Sequence, residues 1–172
     1  MIAILRFWHC KGAQGEARSQ INYRIASNEK DDVQNFCTKC ITSVGGKPSH
    51  AEQLANLLVA ADYRGHYSHG LNRIEMYVID IEKGICAVNK EPAILKETHS
   101  TSFVEGNNVL GPVVGNFCMN IAIEKAKKTG VSWVAAKGSN HFGIAGWYSM
   151  MASAQGLLVS KTFKVTKKSI VI

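Results

Sequence analysis

No stretch of the sequence approaches the roughly 20 consecutive apolar residues that a membrane-spanning helix needs. The short apolar opening from Met1 to Cys10 is broken by Arg6, and no small-residue cleavage pattern follows it, so no secretory signal is expected. Arg18 and Arg24 fit an organelle presequence only loosely, because Glu16 and Glu29 lie among them. Cysteine is scarce, and its five positions (Cys10, Cys37, Cys40, Cys86, Cys118) are odd in number and scattered, which argues against a disulfide framework. Cys37 and Cys40 form a C-x-x-C, yet no second Cys/His pair follows at zinc-ribbon spacing, so they read as two residues of a helix. Also missing are a G-x-S-x-G nucleophile elbow, which disfavours hydrolysis at Ser68, and a G-x-G-x-x-G dinucleotide fingerprint. The expectation is a soluble, cytoplasmic protein with no membrane association.

Acidic residues are absent from residues 158–172, which carry Lys161, Lys164, Lys167 and Lys168. Together with the basic residues of 1–30 this accounts for the whole formal charge of +7, since the remaining stretch 31–157 is balanced. A basic chain invites a nucleic-acid reading. Confinement of the charge to the two ends argues against it, and no nucleic-acid partner is expected.

What is present is a chain long enough for one core, with 46% of its 172 residues apolar. Residues 1–30 hold neither a 3.6 nor a 2 period and read as a divergent leader. Asp31-Asp32 opens a short helix to about Thr42. Ser49 with Glu52 suggests a capping box for the next helix, whose apolar stripe is Leu54, Leu57, Leu58 and Ala61. Leu71, Ile74, Val78 and Ile81 continue at helical spacing until Lys83-Gly84, which puts Ser68 and His69 at a helix start. Residues 93–105 read as short strands, Val114 to Ala122 marks a further helix, and Val131 to Ala135 reads as a buried strand. Gly138 to Gly143 is the loop leaving that strand, before helical character resumes at Ile144 to Ala154. Alternating helices and strands predict an α/β protein, in which reactive side chains sit on loops leaving strands.

Two segments carry chemistry: Ser68-His69-Gly70-Leu71-Asn72-Arg73 and Gly138-Ser139-Asn140-His141-Phe142-Gly143. Oxidising an alcohol beside a carboxylate needs a group to take the hydroxyl proton, a cation for the carboxylate and a hydride acceptor. An imidazole on a glycine-flanked loop, His141, suits the first, and Arg73 the second through a bidentate pair. His69 and Arg73, four apart, would share one helical face, with Tyr77 a turn further on. Plainer readings stand beside these: His69 as a cap, Arg73 paired with Asp62 or Glu75, Tyr77 as a core aromatic. His66 with His69 lacks a carboxylate at fixed spacing, so no metal is expected. His50 and His99 have no evident partners and read as structural or solvent-facing.

The blocks AEQLANLLVAADYRGHYSHGLNRIEMYV, EGNNVLGPVVGNFCMNIAIEKAK and KGSNHFGIAGWYSMMA, within His50 to Leu158, resemble the malate/L-lactate dehydrogenase family. This is the type 2 family that includes ureidoglycolate and sulfolactate dehydrogenases, and a weaker match extends back to Asp31. The resemblance implies an α/β fold distinct from the Rossmann type, here incomplete: a helical N-terminal part followed by the start of a mixed-sheet cofactor domain. It implies an oxidoreductase using NAD or NADP to exchange hydride with a small 2-hydroxy acid such as malate or lactate, and a homodimer in the full-length form. By the family's S-N-H-[FY]-G and S-H-G-x-x-R motifs, His141 is the catalytic acid/base, His69, Arg73 and Tyr77 bind substrate, and Ser68 and Asn140 support them. The cofactor-binding residues are not assigned. The expected organisation is a leader at 1–30, a substrate and dimerisation part at 31–112, the start of the cofactor-binding domain at 113–158, and a divergent basic tail at 159–172. On that reading the chain is a C-terminally truncated member, and the alternative is an inactive paralogue or a regulatory binding subunit. Truncation predicts poor stability, with helices around 50–82 exposing faces that a missing part would cover.

Overall fold

A computed structural model describes the backbone of residues 2–6, 27–161, 164–166 and 169–171, and the side chains of residues 30–160. Cys10, most of the leader and the lysines of the basic tail lie outside the described side chains.

Strand β1 (Ile2–Arg6) comes first, followed by helices α1 (Ser27–Ser43) and α2 (Pro48–Tyr63). Two short 3-10 turns, Tyr67–His69 and Leu71–Arg73, lead into α3 (Ile74–Glu82). Strands β2 (Ala93–Glu97) and β3 (Thr101–Glu105) form a hairpin, and α4 (Gly111–Thr129) crosses over to β4 (Val131–Lys137). The chain continues through α5 (Ala145–Ser153), β5 (Leu157–Lys161), β6 (Lys164–Thr166) and β7 (Ser169–Val171). The architecture is a helical N-terminal part followed by a mixed sheet, as expected.

Helix α1 turns Cys37 and Ile41, four apart, into the core. Helix α2 buries the whole anticipated stripe of Leu54, Leu57, Leu58 and Ala61. Its start differs from expectation. Lys47 occupies the cap position with no side-chain cap bond, and Pro48 stands in the first turn, so Ser49 is already helical and forms no capping box. Proline there supplies a preset φ and forgoes an N–H that would have lacked a partner anyway. His50 takes the structural of its two expected readings, 2% exposed, but it does have a partner: its Nε2 lies 2.9 Å from Glu91 Oε2, while Glu91 Oε1 pairs with Lys47.

The main sheet runs β2-β3-β4-β1-β5. Strands β3 and β4 are parallel, as the α4 crossover requires, while β1 lies antiparallel between β4 and β5. Part of the aperiodic leader thus supplies an internal strand. Helix α4 packs across β3, β4 and β1. Strand β4 is therefore not buried throughout. Ser132, Val134 and Ala136 are covered, whereas Val131 and Trp133 stay 43% and 42% exposed, the alternation of a sheet with one covered face. Exposed apolar side chains occur on both parts of the molecule: Phe103, Val131, Trp133 and Leu158 on the sheet, and Tyr63 at the end of α2 with Tyr67 in the turn after it.

Candidate active site

Three pieces of chain converge beside the end of β4. The first is the pair of 3-10 turns after α2. These turns are too short to be self-sustaining, and side chains tie them down. The Asp62 carboxylate accepts the Leu71 N–H at 2.7 Å, and Arg73 Nε donates to the Ser68 carbonyl at 2.6 Å. Ser68 Oγ lies 2.9 Å from His69 Nδ1. His69 and Arg73 are therefore not on one face of one α-helix: Gly70 separates their turns, and α3 begins after Arg73. Folding still brings them to the same place. Among the described residues Arg73 makes no ion pair with Asp62 or Glu75, and it borders a recess of about 410 Å³ with Asn72, Glu75 and Asp80.

The second piece is Tyr77 on α3, 1% exposed, whose hydroxyl stands 2.7 Å from His141 Nδ1. Tyr77 is both the core aromatic and the site neighbour that the spacing allowed. The third is the loop between β4 and α5. The Asn140 amide donates to the carbonyls of Asn108 at 2.8 Å and Val109 at 3.3 Å and lies 3.4 Å from Cys86 Sγ. The Tyr148 hydroxyl donates to the Phe142 carbonyl at 2.6 Å. A Cβ on Gly111 at the head of α4 would fall on the carbonyls of Asn140 and His141, so only glycine lets the loop sit so close.

His141, half-buried, faces His69 in a stacked arrangement with ring centroids 5.7 Å apart and 23° between planes. Burial lowers its pKa first, the His69 and Arg73 charges lower it further, and Asp80 opposes them. Burial likewise pushes the Tyr77 phenol up, so it stays a neutral hydrogen-bonding group. The Cys86 thiol, pushed by burial up to about 11, is also protonated. What assembles is an imidazole biased towards its neutral form, beside a second imidazole and a guanidinium. Such a set can hold a carboxylate and exchange a proton.

All six residues selected from the sequence, Ser68, His69, Arg73, Tyr77, Asn140 and His141, lie in this cluster. Sequence reasoning missed Asp62, Cys86, Gly111 and Tyr148 as its supports, since their partners are 9 to 54 positions away or are backbone atoms. His66 is exposed, and no group of three or more potential metal ligands occurs among the described residues. A cleft of about 470 Å³ lies elsewhere, between Lys30, Arg64 and Trp147. Its size says nothing about chemistry, whereas the imidazole cluster has the groups the reaction needs.

The family model for malate/L-lactate dehydrogenase matches residues 29–171, running into the basic tail. The malate dehydrogenase of Pyrococcus abyssi is 39% identical over 129 residues, which are 75% of this chain and 36% of that protein. The malate/(S)-sulfolactate dehydrogenase of Methanothermus fervidus is 40% identical over 128 residues, 74% of this chain and 38% of that protein. The solved structure of malate dehydrogenase from Pyrococcus horikoshii OT3 aligns with a TM-score of 0.72 at 39% identity, covering 74% of this chain and 36% of that one. The chain spans a little over a third of the length of these relatives.

Proposed function

The chain belongs to the malate/L-lactate dehydrogenase family, and from that premise we propose that it carries the substrate-binding and proton-transfer half of an NAD- or NADP-dependent 2-hydroxy-acid dehydrogenase. The observation that carries the proposal is the convergence of His141, His69, Tyr77 and Arg73 from three separate segments. Arg73 keeps both terminal guanidinium nitrogens for the substrate carboxylate, because its Nε is already committed to Ser68. In the oxidation direction His141 Nε2 takes the proton of the 2-hydroxyl. The Tyr77 hydroxyl at Nδ1 accepts the other ring proton and so holds the tautomer with Nε2 bare. In the reverse direction the imidazolium returns that proton to the carbonyl oxygen. Ser68 donates to His69 Nδ1, which leaves His69 Nε2–H as a second donor towards the substrate.

Dehydrogenases of this family work with a nicotinamide cofactor, which when bound supplies the hydride acceptor. The start of α4, where a strand-turn-helix dinucleotide site would seat a pyrophosphate, is closed: Gly111 and Pro112 are buried, and the Asn140 and His141 carbonyls lie against Gly111. These residues do not fit a dinucleotide there, and the parts of the reaction they carry are substrate binding and proton transfer. The substrate is a small 2-hydroxy or 2-oxo acid, the site is cytoplasmic, and the complete enzyme is a homodimer.

Calorimetric titration of the chain with malate, lactate and pyruvate, alongside nicotinamide reduction followed by absorbance, tests the reading. Binding of at least one acid is expected, with about a tenfold or greater loss in Arg73→Ala. In protein that turns over, His141→Ala should lower kcat about a hundred- to ten-thousand-fold. Absence of binding to every acid, or unimpaired turnover without His141, would sink the proposal.

A further inference from the structure

We infer that Asp62, at the end of α2, is a positioning residue for substrate recognition, pinning the two 3-10 turns that present His69 and Arg73. Its role as the holder of the pocket rests on the proposed function, while the pin itself rests on geometry alone. The backbone bonds of this segment are local: Gly65 N–H reaches the Asp62 carbonyl, His69 N–H the His66 carbonyl, and Arg73 N–H the Gly70 carbonyl. Each fixes one turn, and none fixes one turn against the other. The tie across the break at Gly70 on the α2 side is the Asp62 carboxylate, which accepts the Leu71 N–H at 2.7 Å from nine positions back. Gly70 is buried, and a Cβ on it would overlap all three atoms of that carboxyl group. The space that a side chain on Gly70 would fill is the space the carboxylate occupies. A second bond, from Arg73 Nε to the Ser68 carbonyl, closes the two turns on each other once the first is in place. The S-H-G-x-x-R segment is thereby a clamp whose pivot is an aspartate outside it. The bond that Asp62 makes is to the Leu71 backbone and not to His141. It acts through the placement of Arg73, so its loss should weaken substrate binding with little effect on the proton step.

The test compares Asp62→Ala, Asp62→Asn and Gly70→Ala with the natural sequence. Leu71 amide exchange and the Arg73 Nε–H resonance are read by NMR, and malate affinity by calorimetry. Asp62→Ala should expose the Leu71 amide, abolish the protected Arg73 Nε–H signal and weaken malate binding about tenfold, while leaving exchange in α2 and α4 unchanged. Asp62→Asn, which keeps an acceptor oxygen, should restore Leu71 protection, and Gly70→Ala, which displaces the carboxylate, should reproduce the loss. A Leu71 amide that stays protected in Asp62→Ala overturns the pin. Loss of protection with unchanged malate affinity overturns the positioning role. If the natural chain binds no acid, the proposed function fails, and the Arg73 Nε–H signal decides the pin: its persistence in Asp62→Ala and Gly70→Ala overturns it. Should Asp62→Ala not fold, the contrast between Asp62→Asn and Gly70→Ala decides the matter by the same two signals.

Discussion

His141 shows how environment selects a role for a residue whose chemistry is otherwise ambiguous. A solvated histidine titrates near about 6.5. Here burial, His69 and Arg73 all move the pKa down and only Asp80 resists, so the neutral form persists to lower pH than usual. The neutral form is the base, which places the acid limb of kcat/KM for oxidation below the ordinary histidine range. Removing a cationic neighbour, as in Arg73→Gln, should move that limb up in pH, and removing the opposing anion, as in Asp80→Asn, should move it down. An NMR titration of the His141 ring gives the same two directions without turnover, and no movement in either variant would refute the electrostatic account. Stability follows the same sign. With a folded pKa below the unfolded one, the contribution from a neutral His141 is complete above the unfolded value near 6.5. It is lost as pH falls through the window down to the folded pKa. The residue types were legible from chemistry alone, because few side chains shuttle protons or clasp carboxylates. The Tyr77 hydroxyl against Nδ1 was not, since 64 positions separate it from His141.

Elements were legible where a single periodicity governs them. The apolar stripe of α2 needed only local spacing. What failed were the joints. The start of α2 uses Pro48 instead of the Ser49 and Glu52 pair, because a preset φ and a cap side chain solve the same end problem. The expected helix through His69 and Arg73 is two turns around Gly70, because a distant carboxylate outcompetes helical continuation. The loop bearing His141 is another joint, clasped between the head of α4 and Tyr148 of α5. Gly111→Ala tests that clasp. A methyl group there meets backbone carbonyls that cannot swing aside, so the loop must shift, at a stability cost of about 1–3 kcal/mol. A displacement of the proton-transfer group by about 1 Å costs on the order of a hundredfold in kcat. Denaturant melting and the His141 ring resonance measure the two effects separately. An unmoved resonance with reduced stability would show that the strain is absorbed in α4 and not in the loop.

At the scale of the whole molecule, α4 covers one sheet face, β7 comes close to β4, and Phe103, Trp133 and Leu158 keep apolar surface exposed. Register aligns Val131, Leu5 and Leu158 across three neighbouring strands, with Trp133 opposite Ala3 one pleat further on. Trp133 and Leu158 are 42% and 53% exposed, and Phe103 on β3 adds to the exposed apolar surface. The lack of a period in the leader concealed this, since β1 is recognisable only from its partners. Long-range pairing of a strand at the beginning of the chain with one beyond position 156 leaves no local signal. An α/β sheet buries hydrophobic residues by accepting layers on its faces, and an open apolar face promotes self-association and dye binding. Replacing Trp133 and Leu158 together by serine should therefore reduce the fluorescence of a bound hydrophobic dye and raise the concentration at which the chain stays dispersed. The melting temperature should change by no more than a few degrees, because both side chains are half-solvated already and lose little buried area. Light scattering and dye titration at matched concentration read the outcome. Undiminished dye binding in the double variant would move the source of stickiness away from the sheet and back to the helices, where the sequence alone had placed it.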